Sequence, residues 1–424
     1  MSWLAAAAVA ALALAGAPIY ALLGGLALWL FHGASIDPAA VIISLNRLAD
    51  MPSLIAVPLF TFAGYMLAES GAPARLVELA EAAIGWLPGG VAIGGLCACA
   101  LFTAFTGASG VTIIALGGLI YPLLRRQGYP EGFSLGLVTT TGSLGLLFPP
   151  SLPIILYALV GKVSVDRLFA AAAIPGLLLL VVLSAYVVFI SKRHDVPRSP
   201  FSAARLLRAL RASAFEVPLP LLIIGGIYGG FFTASEASAV MCFYVFAVEC
   251  LVYRDLKLPE LPGVVVRSMV LVGAILIVLG TALGLTDYMI DAEIPERIFA
   301  VLSAHIATGW GFLALLNVFL LVVNMVEIFS AIVIVVPIIV PVALKYAINP
   351  VHLGALFLLN LEIGYMTPPV GLNLFLSSRR FDKPLPNLYR ATLPFWAILV
   401  VALAVVTYIP EVSLWLPRLL KARL

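Results

Sequence analysis

Charge is scarce in this chain, and its scarcity excludes an ordinary soluble domain. Of 424 residues only 11% are Asp, Glu, Lys or Arg, less than half of the roughly 25% usual in soluble domains. The formal net charge is only +3, and Lys and Arg gather in a few short loops. No basic face is therefore available for nucleic acid. Cysteine and histidine are equally sparse, at four each. Cys97 and Cys99 stand too close for a CxxC redox or zinc pair, and with Cys242 and Cys250 they read as small apolar packing residues. The histidines form no HExxH or other ligand spacing, so no metal-enzyme signature is present. The N-terminal stretch has no charged n-region and runs on into more apolar sequence, so no cleavable signal peptide is expected.

What the chain has in abundance is apolar sequence: 63% of residues are hydrophobic and the mean hydropathy is +1.13. A bilayer crossing needs roughly 20 apolar residues, and such runs recur throughout. Candidate spans are 3–31, 54–68, 133–160, 168–190, 215–232, 236–252, 264–285, 352–376 and 389–408. The first of these reads either as one tilted helix or as two short spans broken at Gly16-Ala-Pro18. Segments 35–53 and 287–308 mix charge with apolar residues and are expected along the interface. Two longer stretches, 84–124 and 310–343, carry small or polar breaks at mid-length, at Thr106–Gly110 and Asn324–Glu327. A stretch broken at its centre fits a re-entrant hairpin, because non-helical backbone is tolerated at membrane depth only when protein or a wet cavity surrounds it.

An internal repeat organises these pieces. Pro122 precedes Pro149-Pro150 by 27 positions, and Pro341 precedes Pro368-Pro369 by the same 27. The offset of 219 that carries residue 122 to 341 also carries Gly145 to Gly364 and Pro175 to Pro394. Pro73-Ala-Arg75 and Pro295-Glu-Arg297 form a looser match ahead of each hairpin. Lys and Arg concentrate on one side if the loop 191–213 is cytoplasmic, as the positive-inside rule requires. Counting spans from there inverts the second copy relative to the first. The expected organisation is an all-α polytopic membrane protein with a first repeat at 1–190, a basic cytoplasmic loop at 191–214, a second repeat at 215–409 and an interfacial tail at 410–424. Each repeat holds one hairpin and one proline-broken helix, at about 133–160 and 352–376.

Inverted repeats with paired hairpins and broken helices point to secondary transport, with the site near the bilayer midplane. Each break frees carbonyls at one helix end and N–H groups at the other. The former replace water around Na⁺, and the latter attract a carboxylate. The expected ion ligands are Thr106, Ser109, Gly145 and Pro149 in the first repeat, with Asn324, Glu327, Gly364 and Thr367 in the second. Ser109, Ser151, Thr367 and Asn373 are the expected solute contacts. Ser109 is placed to cap the returning helix, and Thr367 before Pro368 reads as an N-cap with proline in the first turn. Glu327 is the sharpest candidate, since a mid-membrane carboxylate costs about 2.5–3.5 kcal/mol on insertion scales. Glu236 reads as a structural cap, and Glu362, deep in a span, has no assigned role.

Several of these stretches resemble the large membrane subunit of tripartite ATP-independent periplasmic (TRAP) transporters. They are Thr106–Thr112, Pro149-Pro-Ser-Leu-Pro153, Leu168-Phe-Ala with Ile174-Pro-Gly176, Gly230–Ala237, and Gly364-Tyr-Met-Thr-Pro-Pro-Val-Gly371. The resemblance implies an elevator-type carrier, with a scaffold and a transport unit, coupled to Na⁺ and lacking any other cofactor. It implies partnership with a small four-helix membrane subunit and a periplasmic solute-binding protein, and import of an organic acid or related solute across the bacterial inner membrane. The sequence departs from the family pattern where Thr106 and Ala108 replace serines and where Glu327 replaces an aspartate. A stand-alone carboxylate symporter of the same architecture is the alternative. A more remote one is an intramembrane serine hydrolase, on the strength of Gly107-Ala-Ser-Gly110 alone.

Overall fold

The structure, a computed structural model, describes residues 9, 11–13, 15–48, 50–323 and 328–421. Asn324 and Glu327, the expected tip of the second hairpin, lie outside them. All regular structure among the described residues is helical. Six helices are long and apolar enough to cross a bilayer, and a seventh crossing is a pair bent by 46°.

In chain order, α1 (Ile19–Gly33), α2 (Ala39–Arg47) and α3 (Ala56–Glu69) come first. Gly16, at φ 84°, and Pro18 separate α1 from what precedes it, so 3–31 is not one helix. A short helix α4 (Ala72–Ile84) leads into α5 (Gly90–Thr106) and α6 (Ser109–Arg126), the two legs of a hairpin. Then come α7 (Glu131–Leu144) and α8 (Leu152–Val160), the halves of the broken helix, and the long α9 (Val165–Arg193). The basic loop that follows is not featureless: it contains α10 (Ala203–Ala212).

The second half runs through α11 (Pro218–Tyr228), α12 (Ala234–Phe246), α13 (Leu261–Asp291) and α14 (Ile294–Ser303). Helix α13 carries residues 287–291, which were expected at the interface, as a continuation of its span; only α14 stands apart. Next are α15 (Gly309–Val323), α16 (Ile328–Lys345), α17 (Pro350–Gly364) and α18 (Leu372–Phe381). The chain ends with α19 (Leu385–Tyr408) and α20 (Glu411–Lys421), the latter lying on α9. Thr233 and Glu236 form a capping box at the start of α12, as the sequence suggests for Glu236.

The proline landmarks fall in like elements. Pro73 and Pro295 sit in the first turns of α4 and α14, and Pro122 and Pro341 lie inside the returning legs α6 and α16. The two proline pairs occupy the helix breaks, each with a cis peptide bond, and Pro175 and Pro394 lie inside α9 and α19.

Packing crosses between the halves. The leg α6 lies on α18, while α16 lies on α8; α19 covers α7, while α9 covers α17. Around this core α13 packs on α1, α2 and α3, and α12 packs on α3. Helices α3 and α13 also touch the hairpins, at α5 and α16 respectively. Gly64 of α3 is needed there: a Cβ would stand 2.6 Å from the Thr106 Cα at the hairpin tip.

The strongest charge cluster sits where α4 meets the second half. Arg75 is held by Glu216, by Glu249 at 2.9 Å and by Asp255, with the Tyr253 ring 4.0 Å from the guanidinium carbon. Burial alone would raise the Asp255 pKa, but the Arg75 and Gly71 hydrogen bonds outweigh it and hold the carboxyl below its usual range. Glu249 is fully buried and Glu216 nearly so, so both depend on the one cation. Removing one partner of a buried pair costs about 3–5 kcal/mol. Arg75→Met is therefore expected to lower the melting temperature of the purified protein sharply. Adding Glu249→Gln should recover part of the loss, and a wild-type melt for Arg75→Met would contradict this assignment.

Candidate functional site

The first hairpin turns at Gly107, whose φ of 63° suits glycine. Ala108, not Ser109, is the N-cap of α6, and no side chain caps that end. Ser109 is the first helical residue, buried to 3% exposure, so the capping expectation for it does not hold. Thr106, ahead of the turn, is fully buried, and its Oγ1 has no hydrogen-bond partner. The tip meets the first break directly. A Cβ at Gly107 would stand 2.6 Å from the Leu152 side chain at the start of α8, and one at Gly145 would stand 2.5 Å from the Ala104 nitrogen in α5.

At that break α7 gives way to a tight turn at Gly145–Leu147 and an extended Phe148. Pro149 and Pro150 are buried, and Ser151 is the N-cap of α8 without a side-chain cap bond. The Ser151 hydroxyl is buried and unpartnered, like that of Thr106. Two orphaned oxygens beside a helix break suit a desolvated cation or a ligand hydrogen-bond donor, because buried polar atoms otherwise find partners.

The second break differs. Helix α17 ends at Gly364, and α18 begins only at Leu372, with Gly371 as its N-cap. Thr367 is therefore not a cap. The turn Pro368–Val370 intervenes, and the Thr367 hydroxyl donates back to the Ile363 carbonyl at 2.8 Å while accepting from Trp396 Nε1 at 3.0 Å. Thr367 is half-buried and residues 368–370 are exposed, whereas Pro149–Ser151 of the first break are closed in.

The two breaks are joined by a polar seam that the sequence reading missed. Asn373 Nδ2 donates to Ser143 Oγ at 2.9 Å and to the Thr139 carbonyl at 3.2 Å. Thr139 Oγ1 lies 2.9 Å from Ser377 Oγ, and Thr140 Oγ1 lies 3.7 Å from Met366 Sδ. The signal was present: the run Thr139-Thr-Thr-Gly-Ser143 stands inside a helix buried on every side. A second seam links α15, α17 and α19 through Asn317 to Thr407 at 2.8 Å and Asn360 to Asn317 at 2.9 Å. Asn373 itself is fully buried and committed to α7. Thr106, Ser109, Gly145, Pro149 and Ser151 thus come together at the first tip and break, while Gly364, Thr367 and Asn373 gather at the second. The histidines sit apart from Ser109: His352 Nδ1 contacts Ser413 Oγ at 2.6 Å, and His305 Nδ1 contacts the Val301 carbonyl.

Apolar crossings around two interrupted helices, one closed in and one partly exposed, fit a polytopic membrane transport protein. The family model described as "Tripartite ATP-independent periplasmic transporter, DctM component" matches residues 5–412. The chain belongs to that family, the large permease subunits of TRAP transporters. It is 37% identical over 397 residues to the C4-dicarboxylate TRAP transporter large permease protein DctM of Pseudomonas aeruginosa, covering 93% of this chain and 92% of that one. Identity to the protein of the same description in Rhodobacter capsulatus is 34%, covering 97% of both chains. The crystal structure of the Alcanivorax borkumensis YdaH transporter shares the fold, with a TM-score of 0.60 at 13% identity over 87% of this chain and 86% of that one.

Gly107 is the residue on which the tip geometry turns. An alanine there pays about 1–2 kcal/mol for the left-handed backbone and also meets Leu152. Gly107→Ala is expected to lower the melting temperature measurably and to impair uptake. Unaltered melting and uptake would show that the tip does not depend on this approach.

Proposed function

We propose that this chain is the carrier of a three-part uptake system in the bacterial inner membrane, importing an organic acid by Na⁺-coupled elevator movement. The observation that carries the reading is the pair of helix breaks, pressed together between exchanged hairpins, with buried oxygens left unpartnered beside them. Broken helices at the midplane serve ions and anionic solutes in secondary carriers. Relatives described as C4-dicarboxylate permeases support a dicarboxylate or similar organic anion as the solute.

In this reading the two halves are inverted copies. Na⁺ is held at the first tip and break by oxygens of Thr106, Ser109, Gly145 and Pro149, and at the second by those of Gly364 and Thr367 with Asn324 and Glu327. The solute meets Ser109 and Thr367, with Ser151 and Asn373 behind them. The hairpins and broken helices travel as one body against α1–α3 and α11–α13. A small four-helix subunit accompanies the scaffold, and a periplasmic binding protein delivers the solute.

The test is uptake into proteoliposomes carrying both membrane subunits. Accumulation of a labelled C4-dicarboxylate is expected only with an inward Na⁺ gradient and the binding protein present. A disulfide cross-link between α3 and α5 should abolish it. Uptake without the binding protein would favour the stand-alone symporter, and undiminished uptake after cross-linking would overturn the elevator. In the same vesicles, Glu327→Gln is expected to raise the Na⁺ concentration needed for half-maximal uptake while assembly with the small subunit is kept. Wild-type Na⁺ dependence would remove Glu327 from the ion site.

A further inference from the structure

Glu362 stands one turn before the second break, and its solvent exposure is 0%. Neither carboxylate oxygen has a hydrogen-bond partner. The ion pairs formed among the described residues engage other carboxylates: Glu69, Glu81, Glu131, Glu216, Glu249, Asp255, Glu296 and Glu411. An isolated carboxylate in such a place costs several kcal/mol unless something compensates its charge.

The surroundings say what is missing. The Ser143 hydroxyl adjoins the carboxylate, and Ser143 Oγ already accepts from Asn373 Nδ2 at 2.9 Å. That bond, with the one to the Thr139 carbonyl at 3.2 Å, spends the Asn373 amide nitrogen and fixes its flip. Asn373 Oδ1 is left buried and unpartnered. Glu362 and Asn373 thus share Ser143 as a neighbour, and between them leave three acceptor oxygens without a hydrogen-bond donor. A cation bound beside Ser143 compensates the Glu362 charge, and an oxygen ligand such as the Asn373 amide suits a hard ion.

We propose that Glu362 and Asn373 hold a small monovalent cation, Na⁺, at a site separate from the hairpin tips. One carboxylate against one positive charge leaves the site neutral, whereas a divalent ion would leave an uncompensated charge in a fully buried place. Glu362 and Asn373 flank the Gly364–Gly371 turn, where Pro368–Val370 are exposed. The two ligands lie on opposite sides of that turn, so the ion ties α17 to α18 and thereby to the Ser143 end of α7.

The site deepens the Na⁺-coupled reading but is read by binding alone, with no solute or binding protein. Radioactive Na⁺ is titrated onto the purified full chain in detergent, with choline as the replacing cation, for wild type, Glu362→Gln and Asn373→Ala. Glu362→Gln is near-isosteric and is expected to bind one Na⁺ equivalent fewer than wild type while keeping the others. Asn373→Ala should weaken one binding step by roughly tenfold or more, equivalent to at least ~1.4 kcal/mol. Full wild-type stoichiometry and affinity in Glu362→Gln, the result if the carboxyl carries a proton, overturns the site. If that variant does not fold, unaltered Na⁺ affinity in a folded Asn373→Ala overturns it equally. Wild-type protein that binds no Na⁺ at all defeats both this site and the coupling reading. Na⁺ binding that is merely indifferent to both substitutions defeats this site alone.

Discussion

Backbone polar groups have no water to turn to inside a bilayer, and everything unusual in this chain depends on meeting that constraint. A helix broken at Gly145–Phe148, or between Gly364 and Gly371, exposes carbonyls and N–H groups that would each cost several kcal/mol against lipid. The first break is covered from both halves: its own hairpin leg α5 packs on Gly145–Leu147, and α17 of the second half reaches it too. The returning leg α6 lies on α18 and the leg α16 on α8, so each post-break half-helix is sheltered by the other half's hairpin. The long helices are exchanged in the same sense, α19 over α7 and α9 over α17. The post-break half-helices are where each half depends on the other for cover.

Hydroxyl side chains solve the remaining problem cheaply. Thr61, Thr103, Thr139, Thr392 and Thr407 all bond the carbonyl one turn back, at 2.6 to 2.9 Å, which satisfies them without help from outside the helix. Against that background the exceptions are informative. Thr106 and Ser151 stand beside the first tip and break, and Glu362 and Asn373 flank the second, all with a buried oxygen left over. Tyr157, His352 and Asn360 also keep a buried unpartnered atom inside continuous helix, so such atoms gather at the interruptions without being confined to them.

Much of this was legible in the sequence because proline and glycine act locally. The pairs Pro149-Pro150 and Pro368-Pro369 forbid continuous helix wherever they fall, and Gly107 marks the tight tip. Hydropathy located spans such as 54–68, 168–190 and 389–408 closely, but not 3–31, whose helix starts only at Ile19. Other features depend on partners far away in the chain. That Ser109 and Thr367 are not caps follows from where the helices restart, after Ala108 and after Gly371, and the three residues of the Pro368 turn that displace the second start look like a first helical turn in sequence. The seam from Thr139 to Ser143 was visible as a polar run, but its partners Asn373 and Ser377 lie more than two hundred positions away. Helix α4 was overlooked because it is too short and too amphipathic to read as a span.

Helix α4 is also where the few charges of the chain have structural weight. Its start is clamped by Arg75 to Glu216, Glu249 and Asp255, which belong to the second half's outer helices and loop. Its far end is joined to α10 by Arg205 and Glu81, a part-exposed pair of the kind worth at most about 1 kcal/mol. Helix α14, which holds the corresponding place before the second hairpin, has no such clamp: its Glu296 pairs with Lys345, on the hairpin's own leg α16. Both lead-in helices pack on the hairpins they precede, α4 on α5 and α14 on α16, but α4 is also ion-paired to the outer shell.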